Sequence, residues 1–118
     1  MTWTEIPVRG RLHTADHLVV LVTVPSNEVG REIAITLLNE RLCACVNILP
    51  ALSSFYVWEG KVHSDEELLL IIKTTGARFQ AMTARVHALH PYDVPEIIAT
   101  PIVEGSQDYL AWIDEAVG

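Results

Sequence analysis

Apolar residues along this chain change their period several times, and each change predicts an element. His17 to Val24 (HLVVLVTV) is almost continuously apolar and rich in β-branched residues, which predicts a buried strand. Pro25-Ser26-Asn27 breaks it. Ser26 or Asn27 offers the side-chain oxygen that a helix N-cap needs, and Glu28 falls in the positive first turn. Val29, Ile33, Leu37 and Leu38 recur at helical spacing, so Asn27 to Arg41 reads as a helix with one apolar face. Cys43 to Leu49 is again strand-like, Pro50 interrupts it, and Ser53 to Trp58 resumes. Glu59-Gly60 is a turn signal. From Lys61 the chain returns as a strand through the apolar run Leu68 to Ile72, completing a long hairpin. Phe79, Met82, Val86 and Leu89 predict a second amphipathic helix from Ala77 to Leu89. His90-Pro91-Tyr92-Asp93-Val94-Pro95 is a stiff loop, because each proline fixes its own φ and disfavours helix in the residue before it. Glu96 to Val103 is a strand in which Pro101 implies an edge or a bulge. Gln107 to Ala116 closes the chain as a helix with Leu110 and Ile113 turned inward.

The resulting order is β-α-β-β-α-β with an added C-terminal helix, the ferredoxin-like α+β arrangement. Both crossover helices must then pack on one face of an antiparallel sheet. One domain is expected over 17–118. Residues 1–16 show neither period and are read as an extension without an assigned role. The hairpin is longer than a compact sheet needs, and its exposed edges are most simply covered by neighbouring subunits in a closed ring.

Composition narrows the function classes. Half of the 118 residues are apolar and 19% are charged, which suits a packed core and argues against a disordered chain. A mean hydropathy of +0.28 fits either apolar surface buried between subunits or an apolar-rich core. Net charge is −7, and the eight Lys and Arg do not cluster, which argues against nucleic acid and anionic membranes as partners. The apolar runs are too short to span a bilayer, and the first residues lack the pattern of a signal peptide, so a cytoplasmic setting is expected. Cys43 and Cys45, two apart on an extended strand, would share one face with Cα atoms roughly 6.5–7 Å apart, at or past the limit for a disulfide. They are expected to be reduced thiols.

Two constellations carry candidate chemistry. His90 and Glu96 flank the proline loop, and imidazole plus carboxylate suits Cu(II), Zn(II) or Ni(II). A tight site needs about four donors, from Asp93 or a neighbouring subunit. The alternative is structural: His90 caps the preceding helix and Glu96 pairs with Lys73 or Lys61. Tyr56, Trp58, Lys73 and Tyr92 form the second set, either lining an intersubunit cleft for a small anion or metabolite or simply packing together. Cys43 and Cys45 are either a soft-metal pair or small core hydrophobes. His13, His17, His63 and His87 read as surface residues, and Asp65-Glu66-Glu67 as a solvated acidic run. No phosphate-binding glycine loop, Ser-His-Asp signature or zinc-protease motif is present, so no enzymatic activity is expected.

Several segments together resemble one family. Val20-Leu21-Val22-Thr23-Val24-Pro25, Ala44-Cys45-Val46-Asn47-Ile48, Tyr56-Val57-Trp58-Glu59-Gly60-Lys61, Ile72-Lys73-Thr74-Thr75, His90-Pro91-Tyr92-Asp93-Val94-Pro95-Glu96 and Tyr109-Leu110-Ala111-Trp112 are similar, in order, to motifs of the CutA divalent-cation tolerance family. The resemblance implies a homotrimer with intersubunit strand pairing and a fold like the P-II signalling proteins. It also implies binding of copper or other divalent metal ions in some members. An alternative reading, by analogy with P-II-like folds, is a trimeric ligand sensor or protein-interaction scaffold with clefts lined by Tyr56, Trp58, Lys73 and Tyr92. Some members carry a cysteine at the position of Val22, proposed there as a copper ligand. Valine has no donor, so a copper(I) site of that kind loses its soft ligand here.

Overall fold

The structure, a computed structural model, describes residues 16–118. The expected N-terminal extension, apart from Asp16, and His13 lie outside the described residues. The elements are β1 (His17–Val24), α1 (Asn27–Asn39), β2 (Cys45–Trp58), β3 (Lys61–Thr75), α2 (Phe79–Leu89), β4 (Ile97–Pro101) and α3 (Gln107–Val117), with a single 3-10 turn at Gly76–Arg78 leading into α2. The four strands form one antiparallel sheet in the order β2-β3-β1-β4, the ferredoxin-like α+β topology.

The core follows from strand alternation. Leu18, Val20, Val22 and Val24 of β1 and Leu70 and Ile72 of β3 point to one side, where Ile33 and Leu37 of α1 and Met82 and Val86 of α2 meet them. Burying each large aliphatic chain stabilises the fold by about 1.5–3 kcal/mol. Ser26 caps α1, its hydroxyl accepting the Val29 N–H at 3.2 Å. At Gly30 a Cβ would stand 3.2 Å from Leu70 and 3.3 Å from Val24, so glycine lets α1 lie close on the sheet.

Several boundaries differ from the sequence pattern. The helix α1 stops at Asn39 rather than Arg41. Arg41 is left-handed (φ 58°), and the Leu42 and Arg41 N–H groups donate back to Leu37 and Leu38 at 2.9 and 3.1 Å, a Schellman ending. The guanidinium of Arg41 then reaches across to the carbonyls of Glu115 and Gly118. Pro50 does not divide β2. It sits at a register shift between Leu49 and Leu52, with Ala51 left-handed (φ 62°), where the ladder needs no donor. Cys43 lies before the strand begins, so period-2 alternation does not apply to it. It is buried in the core, whereas Cys45 lies half-exposed opposite Lys73. The expectation that both thiols share one face is corrected accordingly. His17 is likewise not a free surface residue, since its ring bonds Asp114 of α3 at 2.9 Å.

The other face of the sheet carries Val19, Leu21, Leu69 and Ile71, half-buried, and Leu49 and Ile98, exposed. Neither α1 nor α2 covers it. The helix α3 packs at one end only, on Ala44 and Ile102 through Ile113 and Val117. β2 and β4 are the sheet edges, as Pro101 implied.

Candidate functional site: the proline loop and the hairpin face

The loop after α2 returns to the end of β1. His90 is only 6% exposed. Its backbone N–H donates to Val86 at 2.9 Å and closes α2. Its ring is tied at both ends: Nε2 lies 2.7 Å from the Thr23 carbonyl, and Nδ1 accepts the Tyr92 N–H at 3.2 Å. That pairing requires the proton on Nε2, hence the neutral tautomer, and leaves no ring lone pair free. The Tyr92 ring packs on the imidazole, centroids 4.6 Å apart.

The structure therefore places His90 and Glu96 on one loop without making them a metal cage. A metal at His90 would have to break the bond from Tyr92. Glu96 and Asp93 are exposed, and neither Lys61 nor Lys73 forms an ion pair with Glu96 among the described residues. Val22 is fully buried in the core. Among the described residues no three His, Cys, Asp or Glu side chains converge on a point. The residues present do not fit a closed copper or zinc centre.

The hairpin brings a different group together. The Tyr92 hydroxyl donates to Glu67 Oε2 at 2.9 Å, and Glu67 is only 7% exposed. Two residues earlier on the same face, Asp65 accepts the Tyr56 hydroxyl at 2.7 Å, and Tyr56 stacks on His63 at 5.8 Å. On the opposite face Glu66 accepts from Ser53. Burial of the hydroxyl end and then Glu67 push the Tyr92 phenol up to about 12. The hydrogen bond to Asp65 raises Tyr56 too.

The four residues expected to line one cleft are thus separated within a chain. Tyr56 and Tyr92 meet through Asp65 and Glu67. Trp58 stands at the hairpin tip, 61% exposed. Lys73 lies six residues beyond Glu67, about 20 Å along β3, and donates to Asn47 Oδ1. Glu67 was missed because it reads as part of an acidic run. Its signal is phase: it alternates with Leu69 and Ile71 on the uncovered sheet face.

Cys43 is a buried thiol of the core. Burial, then Cys45 beside it, push the Cys43 thiol up to about 12. A cavity of about 530 Å³ lies at the other end of β1, lined by His17, Thr75, Arg78 and Asp114 among others. It is far from the proline loop.

Comparison with known proteins agrees with this architecture. Residues 18–116 match the family model described as CutA1 divalent ion tolerance protein. The divalent-cation tolerance protein CutA of Thermus thermophilus is 58% identical over 100 residues, 85% of this chain and 97% of that protein. Its solved structure superposes with a TM-score of 0.85 at 57% identity, covering 86% of this chain and 99% of that one. The crystal structure of CutA1 from Oryza sativa gives a TM-score of 0.86 at 48% identity, over 89% of this chain and 96% of that one.

Proposed function

The chain belongs to the CutA1 divalent ion tolerance family, and from that membership we propose that it serves divalent-cation tolerance as a non-catalytic cytoplasmic homotrimer that holds copper and related ions loosely. The observation that carries the assembly is the uncovered sheet face. Val19, Leu21, Leu49, Leu69, Ile71 and Ile98 form an apolar surface flanked by β2 and β4, the sheet's two edges among the described residues, a surface that a second copy would bury. Loose binding fits the donors present: Glu96 and Asp93 stand free at the loop, whereas the His90 ring is committed to Thr23 and Tyr92.

Native mass spectrometry with and without Cu(II) tests this. The expected result is a trimer whose copper uptake falls in Glu96→Gln and persists in His90→Gln. Loss of uptake in His90→Gln with the trimer intact would return the imidazole to the site.

A second reading, a P-II-like trimeric sensor or scaffold, is favoured by the paired Tyr56–Asp65 and Tyr92–Glu67 contacts. It predicts no copper uptake by any variant.

A further inference from the structure

Glu67 is a carboxylate held more than nine-tenths out of water, with Tyr92 as its hydrogen-bond donor. Among the described residues no cation pairs with it: the ion pairs there are His17–Asp114 and Arg85–Glu40. A buried charge in that condition is costly unless an opposite charge faces it. Lys73 is its complement. It is half-buried on the same sheet face, paired in register with Val19 and Cys45, and its ammonium donates to the neutral amide of Asn47.

Both residues belong to β3 and share its alternation, with Leu69 and Ile71 between them. The face therefore reads anion, apolar, apolar, cation along one strand. Six strand residues span about 20 Å, so the two charges cannot meet within a chain. In a three-fold ring each copy can give its Glu67 to one neighbour and its Lys73 to the other, leaving no charge unpaired.

We propose that Glu67 of each copy pairs with Lys73 of the next across the uncovered sheet faces, so that this charged site is complete only in the assembly. The inference rests on the homotrimer proposed above. Tyr92 and Asn47 hold the two head groups in place before they meet. The apolar residues between them exclude water, which strengthens the attraction and fixes the register of one copy on the next.

Sedimentation of charge variants tests the pair. Glu67→Gln and Lys73→Met should each raise the concentration at half-dissociation about a hundredfold or more, as removing one partner of a buried pair does. The exchanged double variant, Glu67→Lys with Lys73→Glu, should recover most of that loss, which a folding defect could not do. Unchanged singles, or a double variant that loses the sum of both, would overturn the pair. On the wild-type chain, a carbodiimide that joins touching carboxylate and ammonium groups should link the Glu67 peptide to the Lys73 peptide. An intact trimer without that link overturns the pair alone, whereas a wild-type monomer overturns the assembly and the pair together.

Discussion

Single side chains in this protein are anchored by partners far away in sequence. The ring of His90 bridges α2 to β1 through Thr23, the buried Thr74 hydroxyl donates to the Leu42 carbonyl at 2.7 Å, and Arg41 and Arg78 hold the carbonyls that end α3. Tyr92 is the most informative of these residues because its contact titrates. Its folded value lies above its ordinary 10, so folding favours the neutral phenol. That contribution is fully present below about pH 10 and is lost as pH rises through about 12. At fixed protein concentration, urea midpoints of the wild type should therefore fall more steeply between those values than midpoints of Tyr92→Phe. Parallel curves would mean that the phenol is not held against Glu67. The sequence showed that His90 and Tyr92 matter as a stiff loop. It did not show that the imidazole is spent on Thr23 and Tyr92, because a carbonyl on β1 leaves no trace in side-chain pattern.

The elements obey periodicity where one face alone is buried. On α1 Ile33 and Leu37 point into the sheet and Ile35 stays exposed, as the 3.6-residue spacing dictates, whereas Leu38, expected on the apolar face, is exposed because it lies about 100° round the helix from Leu37. Leu37→Ala should cost about 2–5 kcal/mol in chemical denaturation. Ile35→Ala should change stability by no more than about 0.5 kcal/mol. Equal losses at both positions would mean that α1 is covered on its outer side. Periodicity failed at β2, where Pro50 looked like a break. A register shift with Ala51 left-handed absorbs the proline, and the strand runs on for 14 residues. It also failed at Cys43, because a strand pattern cannot show that the ladder starts only at Cys45.

For the molecule as a whole, the order of elements and the packing of α1 and α2 on one face were legible from composition and spacing. The uncovered face was not. The run Leu18 to Val24 reads as buried on both sides, yet within one chain only its alternate residues, Leu18, Val20, Val22 and Val24, reach the core. Val19 and Leu21 are equally apolar, yet no helix among the described residues covers them. The same holds at the hairpin tip, where Phe55, Val57, Trp58 and Val62 stand in solvent. The proposed trimer would explain both features: neighbouring copies would bury them, and Glu67 and Lys73 would set how those copies meet. Sedimentation equilibrium of the wild-type chain at low micromolar concentration tests this most directly. A species of three times the 13.1 kDa chain mass is predicted. A stable species of the single chain mass would contradict the account, since the apolar face would then remain bare in a folded monomer.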